Sequence, residues 1–199
     1  MAFMTHSLPG KVLGLIGLGA IGEEIAKRAR AFEMRVIYTK RNRLAEGKEQ
    51  ALGVEWYPDK DDILKRADFL CIMASYNPST HLLIGKRELD LMKPTAFFVN
   101  TGRGRIVDEP ALIDALKTRK IAGAGLDVYW TEPPVGEPDP NPEFFKMDNV
   151  ILTPHIGSAT WESRREMARL VAENMVAMIK GERPPNVYNP VVYDRLAAK

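Results

Sequence analysis

Cysteine, histidine and long apolar runs are all scarce in this chain, and each scarcity removes a class of protein. One cysteine, Cys71, stands in 199 residues, so no internal disulfide framework holds the fold. The three histidines do not cluster with it, which argues against a structural zinc site, and no metal is expected. Cys71 lies within the apolar run 69–73, where a buried, inert thiol is the expected state. No run approaches the roughly 18 apolar residues of a membrane span. Residues 1–8 lack a basic start followed by an apolar stretch, so no secretory leader is read there and a cytoplasmic location is the default. Charge of one sign is missing too. Lys and Arg number 28 against 26 Asp and Glu, a net +2, which gives no reason to expect a nucleic-acid or membrane partner. What remains is an ordinary globular composition, 45% hydrophobic and 27% charged. The length suits one good domain and is short for two of ordinary size.

The chain is organised around Gly17-Leu18-Gly19-Ala20-Ile21-Gly22. A short apolar strand, 11–16, runs into it and a helix over 23–32 leaves it, and this strand–GxGxxG–helix context turns a weak motif into a useful one. Gly17 suits the tight turn. Gly19, without a Cβ, lets a pyrophosphate approach the backbone, and Gly22 lets the helix pack on the strand. The helix N-terminus offers N–H groups and partial positive charge to phosphates.

Strands are expected at 34–38, 54–56, 69–73, 96–100, 122–128 and 150–154. Helices are expected at 46–52, 59–66, 86–92, 108–117 and 161–180, with Asp108 capping the fifth and Pro110 in its first turn. Ile25, Ala26, Ala29 and Phe32 are spaced to face a sheet. Met167, Leu170, Val171, Met175 and Ile179 form an apolar stripe suited to a core or an interface. Loops are expected at 74–80 and 135–142. Strand–helix alternation throughout means an α/β fold with a doubly wound, Rossmann-type parallel sheet.

The end of the second strand bears on the cofactor. About 20 positions after the first glycine, an Asp or Glu would meet the adenosine ribose and repel a 2′-phosphate. This chain has Tyr38-Thr39-Lys40-Arg41-Asn42-Arg43, with no acid and three cations. Arg grips a phosphate with two N–H groups and Lys neutralises it. NADP(H) is therefore expected ahead of NAD(H), which is the alternative; a solvated basic loop would be the bland explanation. In the loop after the fourth strand, Ser75, Tyr76 and Thr80 are placed to face a dinucleotide.

Arg103, Glu132 and His155 each follow an expected strand, so all three should lie along the sheet edge that carries the glycine turn. A carboxylate beside an imidazole fixes its tautomer and orientation and readies it for proton transfer. An Arg nearby can hold a substrate carboxylate. With a nicotinamide in reach, the set fits reduction of a 2-keto acid, with His155 as proton donor, or oxidation of a 2-hydroxy acid in reverse.

The segments 17–22, 100–104, 125–128 with Glu132-Pro133, and Thr153-Pro154-His155-Ile156-Gly157-Ser158 resemble, in order and spacing, the signatures of the D-isomer-specific 2-hydroxyacid dehydrogenases. The resemblance covers roughly residues 8 to 190. It implies Arg103, Glu132 and His155 as the catalytic three and Asp127 as a partner of the nicotinamide carboxamide. The cofactor surface it implies comprises Gly17, Gly19, Ala20, Ile21, Gly22, Tyr38, Lys40, Arg41, Ser75, Tyr76, Thr80, Thr101, Gly102, Arg103, Asp127, His155 and Gly157. Residues 38–41 and 75–80 look most like the glyoxylate/hydroxypyruvate reductase branch, which uses NADPH. Many members have Arg where this chain has Ala20. Members also carry a long segment before the glycine turn that forms most of a substrate-binding domain. On that comparison 8–182 is the dinucleotide-binding domain and 183–199 a remnant that would return to the substrate domain. The chain alone is expected to bind NADP(H) but turn over poorly, and to pair with a second copy or a substrate-domain partner. The alternative is a catalytically incompetent dinucleotide-binding interaction or regulatory module.

Overall fold

The computed structural model describes residues 7–132 and 143–193 of the chain; the loop expected at 135–142 lies outside them. The chain divides into two compact units, the first running through His155 and the second starting at Ile156.

In the first unit strand and helix alternate: β1 (Val12–Ile16), α1 (Ala20–Ala31), β2 (Arg35–Thr39), α2 (Glu46–Leu52), β3 (Val54–Trp56), α3 (Lys60–Arg66), β4 (Phe69–Ile72), α4 (Lys86–Leu91), β5 (Phe97–Asn100), α5 (Glu109–Lys117), β6 (Gly123–Leu126) and β7 (Val150–Leu152). The strands make one sheet in the order β3-β2-β1-β4-β5-β6-β7, every pair parallel. The expected doubly wound fold is the one observed.

Apolar burial on both faces explains why these strands read as nearly continuous hydrophobic runs. On one face Leu15, Leu18, Ala26, Ala29, Val36, Tyr38 and Cys71 pack together. On the other, Ile37, Ile63, Leu64, Leu70, Ile72, Phe98 and Leu116 form the larger layer. Burial pushes the Cys71 thiol up to about 11, in keeping with an inert thiol. Phe32 departs from expectation. α1 stops at Ala31, and Phe32, as its cap residue, turns out to be 59% exposed. Local signals set the other ends: Asp59 Oδ1 accepts the Asp61 N–H at 2.9 Å, and Asp108 caps α5 with Pro110 in its first turn.

The register places the site. Ile16 pairs with Thr39 and Ile72, Ile72 with Asn100, Asn100 with Leu126, and Leu126 with Leu152. The strands therefore end in step, and the residues that follow them line one edge. The chain direction of winding changes between β1 and β4, and a crevice opens there.

In the second unit α6 (Trp161–Ile179) is capped by Thr160, whose hydroxyl accepts the Ser163 N–H at 3.1 Å. Its stripe is not core in this chain: Met167, Val171, Met175 and Ile179 are exposed, and Ala177 is the helix residue that is buried. Among the described residues no helix is long and apolar enough to cross a membrane.

Candidate active site

The glycine turn has the geometry its sequence calls for. Gly17 takes a φ of +95°, and a Cβ there would lie 2.7 Å from the Ala74 amide nitrogen. Only glycine allows β1 to turn this close to the end of β4. A Cβ on Gly19 would meet nothing within 4 Å, so that side of the turn is open to a ligand. Gly22 is tight against Leu18 and the Gly17 carbonyl; its small size serves the turn itself, whereas the sequence reading assigned it to helix–strand packing. α1 begins at Ala20, earlier than the expected residue 23, and its first intrahelical bond runs from the Glu23 N–H to the Gly19 carbonyl at 2.9 Å. The amides of Ala20, Ile21 and Gly22 precede that bond and point out of the N-terminus, the arrangement that receives phosphate.

The basic segment after β2 is not uniform. Thr39, Lys40, Arg41 and Asn42 line a cleft of about 760 Å³ together with Gly17, Leu18, Gly19, Ser75 and Thr80. Lys40 Nζ donates to the Leu18 carbonyl at 2.9 Å, tying β2 to the glycine turn. Arg41 has a single long bond, 3.2 Å to the Ser79 hydroxyl, and is exposed. Arg43 is committed elsewhere. It donates twice to Glu49, at 2.9 and 2.7 Å, and lies over the Trp56 ring. Glu49 also accepts the Tyr38 hydroxyl at 2.5 Å. The Arg43 and Tyr38 bonds hold the Glu49 carboxyl down at about 2, while burial and Glu49 push the Tyr38 phenol up to about 12. Tyr38 itself is fully buried. The structure does not bring its side chain to the cleft, because alternation along β2 points Val36 and Tyr38 into the core layer under α1. Asp59 also lines this half of the cleft, with its Oδ1 engaged in capping α3.

The loop 74–80 separates this half from the next. Thr80 shapes it: its hydroxyl donates to the Ser75 carbonyl at 2.8 Å and accepts the Asn77 N–H at 2.8 Å. Ser75 borders both halves, and Tyr76 borders the second.

That second half, about 620 Å³, is lined by Ile21, Ser75, Tyr76, Thr101, Gly102, Arg103 and Glu132 among others. Asn100 folds the loop that presents Arg103: its Oδ1 accepts the Gly102 N–H at 3.1 Å and its Nδ2 donates to the Arg103 carbonyl at 3.1 Å. Gly104 then passes so close to the next segment that a Cβ would lie 1.9 Å from the Tyr129 carbonyl oxygen. This contact sets the Arg103 loop against the segment that carries Glu132. The Arg103 guanidinium bonds the Gly102 carbonyl at 2.6 Å, and no carboxylate among the described residues pairs with it. Glu132 Oε2 meets His155 Nδ1 at 2.5 Å. His155 has a φ of +52°, a region that residues other than glycine seldom occupy and that recurs at functional sites. Asp127 is buried, and its Oδ1 accepts the Thr153 hydroxyl at 2.5 Å. Gly157 lies in the second unit.

A family model described as the NAD-binding domain of D-isomer-specific 2-hydroxyacid dehydrogenases matches residues 1–157. The chain belongs to this family of oxidoreductases. It is 49% identical over 189 residues to a glyoxylate reductase of Thermococcus litoralis, a match covering 95% of the chain and 55% of that protein. Among solved structures, a glyoxylate reductase from Paecilomyes thermophila is similar with a TM-score of 0.80 at 41% identity, covering 91% of this chain and 53% of the other. A D-lactate dehydrogenase with NAD+ from Lactobacillus jensenii gives a TM-score of 0.83 at 31% identity, covering 92% and 57%. The chain thus spans about half the length of the relatives it matches.

The residues present fit a dinucleotide. The open side of Gly19 and the N-terminus of α1 meet two adjoining pockets that share Ser75, one lined by Arg41 and the other by Arg103. The sequence places Asn100 and Gly104 in the segment 100–104 without showing what each does there, and gives no sign of Tyr129. A polar residue closing an apolar strand, and a glycine directly after the Arg, were the available signals for the first two.

Proposed function

We propose that the chain is the cofactor-binding part of an NADP(H)-dependent reductase of small 2-keto acids such as glyoxylate or hydroxypyruvate, working in reverse on 2-hydroxy acids. The observation that carries this reading is the Glu132–His155 pair at 2.5 Å, with Arg103 lining the same pocket as Glu132 and paired with no carboxylate among the described residues. The similarity to proteins named glyoxylate reductase supports the substrate class. A bound dinucleotide would supply hydride to the substrate carbonyl carbon. Arg103 holds the substrate carboxylate through paired N–H groups and draws electron density from the adjacent carbonyl. Glu132 accepts from His155 Nδ1–H, which leaves Nε2 to exchange a proton with the substrate oxygen. The turn 17–22 and the first amides of α1 hold the pyrophosphate. Arg41 grips the 2′-phosphate, and Lys40 adds its charge from its tether on Leu18. In this reading 8–182 serves the cofactor and 183–199 leads back to a substrate domain. Closure of such a domain completes the site, so the chain alone binds cofactor well and turns over slowly.

The test is a titration of the purified chain with NADPH and with NADH, followed by nicotinamide fluorescence at two salt concentrations. Tighter NADPH binding that weakens with salt is the expected result. Equal or tighter NADH binding would overturn the cofactor assignment, and binding of neither would overturn the reading of the chain as a cofactor domain.

A further inference from the structure

Tyr129 sits where the three active-site segments meet. Its side chain is buried. Its hydroxyl proton is shared between the Leu126 carbonyl at 3.0 Å and the Thr153 carbonyl at 2.9 Å, joining the ends of β6 and β7. The same Thr153 carbonyl accepts the His155 N–H at 3.1 Å. One oxygen therefore receives both the tyrosine hydroxyl and the amide of a residue held at a φ of +52°. At its other end, the Tyr129 N–H donates to Glu132 Oε1 at 3.3 Å, while Glu132 Oε2 takes His155 Nδ1. The Tyr129 carbonyl is the atom that a Cβ at Gly104 would strike.

We propose that Tyr129 is a positioning residue for the acid–base pair, its hydroxyl fixing the carbonyl that anchors His155 and its backbone N–H fixing the second oxygen of Glu132. The inference rests on the reading of Glu132 and His155 as that pair. Both contacts are needed together. A carboxylate anchored at one oxygen only can rotate, and a left-handed histidine without a fixed carbonyl behind it can relax toward ordinary backbone. Burial keeps the Tyr129 phenol above its ordinary range, so the hydroxyl remains a donor across neutral pH. Neither Tyr129 atom touches the cleft chemistry directly; its effect passes through the geometry of the two groups that do.

The experiment is nitrogen NMR of the His155 imidazole in the purified chain, assigned with His155→Asn. The wild type should show one tautomer, protonated at Nδ1, with slow exchange of that proton. Tyr129→Phe keeps the ring and the backbone N–H and removes only the hydroxyl. It should give averaged tautomer shifts and an about tenfold faster Nδ1–H exchange, the scale set by one hydrogen bond, while NADPH affinity stays within about twofold. A purely structural role would lower the melting temperature and leave the tautomer alone, and that result overturns the proposal. Should Tyr129→Phe not fold, site-specific 4-fluorophenylalanine at 129 fills the same volume without a donor and is read the same way. Glu132→Gln separates the two levels. If it leaves the imidazole unchanged, the acid–base reading itself fails; if it disturbs the imidazole and the Tyr129 variants do not, only the positioning role fails.

Discussion

The two halves of the cleft are built in opposite ways. The half bordered by the glycine turn comes largely from neighbours in sequence: the turn 17–22 and the segment 39–42 are joined by one strand–helix–strand unit. The other half is lined by Arg103 and Glu132, and Glu132 meets His155, so three distant strand ends contribute. The first is a local motif whose parts serve themselves, as when Lys40 ties back to Leu18. The second exists only because parallel register ends the strands in step. Both halves need one glycine where backbone passes close to backbone, Gly17 against Ala74 and Gly104 against Tyr129; they differ in how far apart in sequence their functional side chains lie.

The largest expected effect breaks the assembled half at its chemistry. In a fusion of this chain to a relative's substrate domain, His155→Asn should cut glyoxylate turnover about 10²-fold or more, the usual worth of a general acid. NADPH affinity of the same variant, followed by fluorescence titration, should fall far less than turnover, because His155 is one of many contacts that the resemblance implies for the cofactor. Next comes the close passage. Gly104→Ala forces a methyl toward the Tyr129 carbonyl and should cost roughly 3 kcal/mol in urea unfolding, the upper range for overpacking. A near-wild-type midpoint would show that the two segments move apart easily and that the assembled half is less rigid than its geometry implies.

The contrast within the basic segment gives smaller effects. Arg41→Ala should weaken NADPH about tenfold and leave NADH unchanged, as expected for one charge-assisted contact. Arg43→Ala should instead lower thermal stability, because it strands Glu49 beside Tyr38. Equal losses of NADPH affinity in both variants would erase the distinction drawn here. The smallest effect is on pH. Glu49 is held down at about 2, below its unfolded value near about 4.3. The unfolded chain thus binds the proton first, so this contribution is fully present above pH of about 4.3 and fades as pH falls toward about 2. Acid unfolding followed by circular dichroism should show Glu49→Gln losing that part of the slope.

Most of the fold was legible because its signals are local. Short apolar runs, Asp108 before Pro110, and the glycines of 17–22 mark elements that lie within a residue or a few of those observed. Two expectations fail for different reasons. Tyr38, expected on the cofactor, is core because it faces the layer that α1 covers, and Phe32, expected in the core, is exposed because α1 ends one residue before it. Lys40, Arg41 and Arg43 look equivalent in sequence. Glu49, six residues beyond Arg43 and within α2, makes that one structural.

Sequence alone determined the strand–helix alternation, the glycine turn and the chemical identity of Arg103, Glu132 and His155, since each follows from residue type and short spacing. Tertiary structure decided that Glu132 meets His155 at 2.5 Å, that Gly104 lies against Tyr129, and that Arg41 rather than Arg43 faces the cleft. Those outcomes need strands far apart in the chain to end at one level, and only the packed parallel sheet imposes that level on all of them.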